Sequence, residues 1–478
     1  MSEFAQIPSF PRNLSYSMKI LQGSIIKTRI KVNADLSVYN PGSIANFYIP
    51  PSRMIDNRSI VVYAKVSTTT GTNKGLKLPR NGLHSLIEQL QITANSRILQ
   101  STSYYNFCYN LVSDASGFGA IDQYSKRNIA DIYDPSIRMS SDASYNGTDN
   151  TANATAYSVA NNTADQNNDE NIYLSANNFL GFLSSSSVST YDLNNIGQLK
   201  ISFTWAPVDV CWTTKNATAA STPYSYKLED VYMTMDTITF SNKLYFDLVK
   251  DQLEEDGLNI AYREYVVQPL NSVDRSGGNL NLSTQVNASS LDMVMATFRP
   301  SNYSTIGELI LGSQDVNTKT FTEIMANIPT NSGKGGLFNN SAYLLRDGAG
   351  FENGSWFVNS TAFTQGATAP EVWNNTLQAF GYENLSDAGA FHPGCYNLNR
   401  FCRQYFVDVL SLENISNDPT YFVSGLGGDG ASINIQYNCK FKTTATDTSL
   451  ATKLIPYIIA VKSNILNIKI GRSLDLRE

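Results

Sequence analysis

Gln198–Trp205 reads QLKISFTW, and Ser432–Lys442 reads SINIQYNCKFK. In the first stretch Leu199, Ile201, Phe203 and Trp205 alternate with Lys200, Ser202 and Thr204; in the second Ile433, Ile435, Tyr437, Cys439 and Phe441 share one face. A period of two marks a strand with one dry face and one wet face. Ile201 and Ile433 are 433 − 201 = 232 positions apart, and so are Val62 in SIVVYAKV and Val294 in LDMVMATF, 294 − 62 = 232. VYMTMDTITF around Met235 has a counterpart in YIIAVKSNILNIKI around Lys462, at 462 − 235 = 227. YYNFCYNLV is echoed by EVWNNTLQAF, with Asn106 and Asn374 separated by 268. The larger offset fits an insertion in the second copy. What repeats is the pattern and the order, since few residues coincide. The chain reads as one plan written twice.

The remaining segments fill in that plan. Ile26, Thr28, Ile30 and Val32 alternate with Lys27, Arg29 and Lys31, and Ser59–Val66 is a buried strand announced by Pro50, Pro51, Asp56 and Asn57. Leu83, Leu86, Ile87 and Leu90 fit a short helical stripe, after which the chain is read as extended at Gln91–Thr93. Tyr104–Val112 is a second short helix. Met139–Asn171 is almost entirely Ser, Asp, Asn, Thr, Ala and Gly, too polar to bury the apolar area that ordering requires, and is read as an exposed loop. Asn327–Ser355, with GKGG and GAGFENGS, is read as a second loop zone. The clearest helix is SNKLYFDLVKDQLEED at 241–256, capped by Ser241, with Leu244, Leu248, Val249 and Leu253 on one face and Gly257 at its end. Strands precede it at Val231–Phe240 and resume at Tyr262–Val267. The expected fold is all-β: two tandem antiparallel β-sandwiches with a few short helices, the first over 1–240, a linking helix over 241–257 and the second over 258–478.

Composition narrows the function. At 478 residues the length allows about two to four domains. Twenty-seven Tyr and 22 Phe favour strands, and a net charge of −6 argues against a free nucleic-acid binder. The N-terminal MSEFAQIPSFPRNLSYSMK lacks the apolar core of a secretory signal, so synthesis in a reducing cytosol is expected. The five cysteines, Cys108, Cys211, Cys395, Cys402 and Cys439, form no C-x-x-C pair and read as buried free thiols. No metal or other cofactor is implied. His84 and His392 are the two histidines; His84 reads as structural, and His392 three residues from Cys395 does not by itself make a dyad. Gly425, Gly427 and Gly430 spell G-x-G-x-x-G, but the element that follows is the strand SINIQYNCKFK rather than the helix a phosphate loop needs. The acidic runs Asp165–Glu170 and Asp251–Asp256 read as solvated surface. Lys27, Arg29 and Lys31 project from one side of a strand, either as a plain wet face or as a contact with an acidic partner, a neighbouring subunit or phosphate groups.

The segment LPRNGLHSLIEQLQITANSRILQSTSYYNFCYNLVSD at Leu78–Asp114, with the order of elements around it, resembles the first-roll core of double jelly-roll major capsid proteins of tailless icosahedral DNA viruses, the polinton-like virus and virophage group in particular. The resemblance implies two eight-stranded jelly rolls side by side, with no enzymatic activity. It implies a homotrimer whose six rolls form a pseudo-hexagonal block in the shell of a virion made in the host cytoplasm or a virus factory. It places the two long loops outward and Lys27, Arg29 and Lys31 inward or against neighbours. Its implied partners are neighbouring capsomers, penton and minor capsid proteins, and an internal membrane or the genome. Two other classes stay open on the residues alone: a β-sandwich carbohydrate-binding, adhesin or fibre protein, and a jelly-roll glycoside hydrolase using two of the 41 acidic residues.

Overall fold

Leu199–Trp205 is a strand whose Leu199, Ile201, Phe203 and Trp205 are buried, as the alternation requires. Ser202 is buried against the pattern, and its hydroxyl donates to Asn46 Oδ1 at 2.8 Å. The computed structural model describes residues 25–51, 54–68, 76–77, 82–115, 173–210, 212–213, 226–240, 244–255, 257–301, 303, 342–380, 398, 401–402, 405–413, 425–427, 432–442 and 453–477. The expected loop 139–171, the first part of the 327–355 zone and the cap Ser241 lie outside them.

Among the described residues, eight main strands make each half. In the first half they are Ile25–Asn33, Ile44–Ile49, Met54–Thr68, Ile87–Ala94, Arg97–Ser103, Tyr173–Ala176, Leu199–Trp205 and Tyr226–Phe240. In the second they are Leu258–Pro269, Asn279–Asn287, Ser290–Pro300, Phe351–Val358, Thr361–Thr368, Asp408–Ser411, Ser432–Phe441 and Lys453–Lys469. Numbered one to eight, they build a long sheet in the order 1-8-3-6 and a short sheet in the order 2-7-4-5, identically in both halves and antiparallel throughout. Two packed sheets with this interleaved order are a jelly roll. Short extra strands flank the long sheets.

The repeat read from the sequence coincides with this topology. Val62 and Val294 both lie in third strands, Met235 and Lys462 in eighth strands, and Ile201 and Ile433 in seventh strands. Asn106 and Asn374 lie in helices Tyr105–Ala115 and Ala369–Ala379, each following a fifth strand. Helix Leu244–Glu255 stands between the rolls, and Gly257 after it takes φ 78° with its N–H on Gln252 O at 3.0 Å.

Two expectations are corrected. The stripe over Leu83–Leu90 is helical only at Gly82–Ser85, and Ile87–Ala94 is a strand. Ile92 and Leu90 are claimed by ladders to Ile201 and Phe203 on one side and to Arg97–Ser103 on the other, and those cross-strand bonds override a weak local helical pattern. The loop zone ends sooner than Ser355: Ala342–Leu344 is a 3-10 turn and Phe351–Val358 is a full strand. Gly354 disguised it. A Cβ there would stand 2.5 Å from Tyr437 Oη and 2.8 Å from Asp408 Oδ2, so the glycine admits a close approach inside a sheet rather than a turn.

That approach creates a buried polar knot in the second roll's core. Asp408 accepts hydrogen bonds from Tyr437 Oη at 2.7 Å and Trp356 Nε1 at 3.3 Å. Burial pushes its carboxyl from an ordinary 3.8 up to about 6, against the pull of those two donors. The folded chain therefore holds this proton more tightly than the unfolded one. Its stabilising contribution is complete below pH about 4 and is lost as pH rises through about 6. Asp408→Asn is expected to flatten the difference in unfolding free energy between pH 4 and pH 7 by an amount on the order of 2–3 kcal/mol relative to the parent. Denaturant melts at the two pH values check this; parallel pH profiles for both proteins would refute it.

Candidate functional site

The two rolls are joined by a seam built from edges and a helix. Strand Leu258–Pro269 is the first strand of the second roll's long sheet and has one free side. Ser185–Ser187 of the first roll covers it: Ser187 N–H donates to Ala261 O at 2.7 Å and Arg263 N–H to Ser185 O at 2.9 Å. An open strand edge is an aggregation liability, and here the neighbouring roll satisfies it. The first roll's own edge strand, Arg97–Ser103, lies beside it. Tyr262 Oη donates to Leu99 O, and Ser101 N–H donates to Glu264 Oε1 at 3.3 Å. Glu264 is held in turn by Asn464 Nδ2 at 2.7 Å and Lys462 Nζ at 3.4 Å.

Helix Tyr105–Ala115 forms the dry part of the seam and is buried at every residue. Phe107 packs on Tyr457 with ring centroids 4.6 Å apart, and Tyr104 meets the same ring edge-on at 5.5 Å. Arg299 sits in a cage of rings, 4.3 Å from Tyr303, 4.6 Å from Tyr343, 5.1 Å from Tyr457 and 6.0 Å from Phe107. A guanidinium is weakly hydrated and its charge is stabilised by aromatic faces, which suits it to this position. Glu88 of the first roll accepts from Tyr343 Oη at 2.9 Å and from Asn106 Nδ2 at 3.1 Å. Burial pushes the Glu88 carboxyl up, while Tyr343, Asn106 and the Arg299 charge pull it back. Farther along, Arg346 Nη2 meets Asp114 Oδ2 at 2.8 Å, with both side chains at most 2% exposed. Sequence reasoning missed all of these groups; the only available signal was an arginine closing the apolar run LDMVMATFR.

The residues singled out in the sequence fall elsewhere. Lys27, Arg29 and Lys31 are on the outer face of the first roll's long sheet, and the structure brings acids to two of them. Lys27 Nζ lies 3.1 Å from Asp236 and 3.2 Å from Asp56, and Arg29 Nε lies 2.9 Å from Asp236. Lys31 Nζ stands 3.8 Å over the Tyr232 ring. Such exposed pairs contribute little to stability. His84 is buried, its Nε2 2.7 Å from Asn177 O and its ring stacked on Tyr109 at 3.7 Å, a structural histidine. Cys108 and Cys439 are buried free thiols and Cys402 is half-buried; Cys211, Cys395 and His392 lie outside the described residues. Gly427 lies in the two-residue strand Leu426–Gly427, which pairs with Ser290–Leu291; Gly425 precedes it, and a Cβ there would meet Leu291 O at 2.1 Å. Gly430 and the acidic run 165–170 are outside the described residues. Asp251–Glu255 ends helix Leu244–Glu255, with Lys250 and Glu254 paired at 3.6 Å. Among the described residues no group of three or more His, Cys, Asp or Glu is placed to hold a metal, and no helix is long and apolar enough to cross a membrane.

No family model and no curated protein matches the sequence. Solved structures do match the fold. The chain is similar to the PBCV-1 virus capsid model at a TM-score of 0.53 and 14% identity, over 94% of this chain and 96% of that one. It is similar to a chain of the Sputnik virophage structure at 0.52 and 11%, over 94% and 88%. It is also similar to PBCV-1 VP54 as fitted into a reconstruction of Sputnik, at 0.51 and 10%, over 95% and 97%. Each match covers more than nine-tenths of this chain and so spans both halves. The chain has the double jelly-roll fold of these viral capsid proteins.

Proposed function

We propose that the chain is a major capsid protein that self-assembles, as trimers of six rolls, into the icosahedral shell of a DNA virus. The observation that carries this reading is the duplicated 1-8-3-6 and 2-7-4-5 topology fused side by side, matched over more than nine-tenths of this chain by capsid structures. The seam supports it. A buried ion pair, an aromatic cage and shared backbone bonds tie the two rolls to each other, and a fixed pairing of rolls is what a flat lattice asks of its tile. The role is structural rather than enzymatic, its place is the virion, and its first partner is a second copy of itself. Neighbouring capsomers, penton and minor capsid proteins, and a membrane or genome on the inner side would complete its partners.

The test is light scattering with size-exclusion chromatography on the purified chain, then negative-stain imaging of the main peak. A trimer with a six-cornered outline, or closed shells, is expected. A monomer at high protein concentration would overturn the reading and move a β-sandwich carbohydrate-binding role to the front.

A further inference from the structure

The rolls carry the same elements with unequal exposure. Helix Tyr105–Ala115 is fully buried between its own roll and the next. Helix Ala369–Ala379, at the same place in the second roll, buries only Val372, Thr376 and Leu377 and leaves Pro370, Glu371, Asn374 and Gln378 exposed. The strand before it, Thr361–Thr368, is open along most of its length, with Phe363 41% exposed.

The long sheets differ in the opposite sense. Val62 pairs with Met233 and Val294 with Ala460, which sets the two sheets in common register. The pair Lys31–Thr234 in the first roll then occupies the place of Tyr265–Val461 in the second. Tyr265 and Val461 are buried, with Ser185 and Cys108 of the first roll around the Tyr265 ring. Lys31 is exposed and Thr234 and Tyr232 are half-buried. Inside the chain, then, the helix of one roll covers the outer sheet face of the next. Among the described residues, one such helix and one such face are left over.

We propose that the outer face of the first roll's long sheet, around Lys27, Arg29, Lys31 and Tyr232, receives the open side of helix Ala369–Ala379 and strand Thr361–Thr368 from a second copy of the chain. This contact repeats between chains what helix Tyr105–Ala115 does within one. It rests on the reading of the chain as a self-assembling subunit and says which faces meet. The difference in chemistry between the two contacts has a physical reason. The seam inside the chain never stands open in the finished fold, so it can be aromatic and apolar. The leftover face must be soluble on a free subunit. It is therefore polar, with Lys27 and Arg29 held by Asp236 and with Lys31 over Tyr232. The contact is heterologous, since each copy offers one face to one neighbour and a different face to the other; such contacts close into rings.

The experiment mixes two variants, Lys31→Cys and Asn374→Cys, both at exposed positions, and applies mild oxidation to the assembled protein. The expected result is a covalent dimer in the mixture, several-fold more abundant than in either variant alone or in the parent, whose own cysteines set the background. Oligomers without the mixed cross-link would overturn this choice of faces and leave the capsid reading standing. Equal cross-linking of Lys31→Cys to itself would replace the head-to-tail contact with a two-fold one and overturn it as well. A monomer at all concentrations would overturn both. Circular dichroism melts of each variant, matched to the parent, confirm that the fold is intact.

Discussion

Arg346→Ala is expected to lower the unfolding free energy by about 3–5 kcal/mol. The Arg346–Asp114 pair is buried on both sides and bridges the rolls across 232 positions of sequence. Two charges taken out of water cost nearly what their attraction returns, so the intact pair contributes little net stability. Removing one member is different, because the Asp114 carboxylate is then left in a dry seam without its guanidinium. Asp114→Asn leaves the Arg346 guanidinium in the dry seam without its carboxylate and should also be costly, softened because the amide oxygen can still accept its hydrogen bond. The double variant should cost less than the sum of the singles. Urea melts of the four proteins at pH 7 check this. Additive losses would show that the pair is not coupled.

Phe107→Ala should lose a similar amount, about 3–5 kcal/mol, for an apolar reason. The ring packs on Tyr457 and closes one side of the cage around Arg299, so truncation leaves a cavity between the rolls and removes a face from a buried cation. The larger effect is on cooperativity. Each roll has its own two-sheet core, and the buried helix packs between them, so the two are expected to melt together. With the parent unfolding in one calorimetric transition, the variant is expected to show two. A single transition, merely lowered, would mean that Ser185–Ser187 and the Arg346–Asp114 pair suffice to couple the rolls.

Much of the fold was legible in the sequence because strands with one wet face write their register directly. Leu199–Trp205 and Ser432–Phe441 gave the two short sheets, and the offset near 232 gave the second roll. What escaped was wherever a neighbour, rather than the local pattern, decides the conformation. Gly354 reads as a turn until the Tyr437 hydroxyl is found in the space of its missing side chain. Leu83–Leu90 reads as a helix until two ladders claim its second half. The seam was invisible for the same reason. Alternation tells which face is dry but not what dries it, and Arg346 and Asp114 carry no signature of a partner so far away in the chain. Lys27 and Arg29 looked like available cations because Asp236, which holds both, is 207 positions from Arg29.

The covering of strand Leu258–Pro269 by Ser185–Ser187 also has a consequence in time. Its ladder partner for Leu258 is Ile468, 468 − 258 = 210 residues later, whereas Ser186, which bridges Tyr262, is 262 − 186 = 76 residues earlier. A ribosome adding roughly 5–20 residues per second leaves the strand without its ladder for about 10–40 s. During that interval the only native partner already synthesised is the first roll. The nascent second half thus emerges onto a template supplied by the first, which covers one edge of the strand while the other waits for Lys453–Lys469.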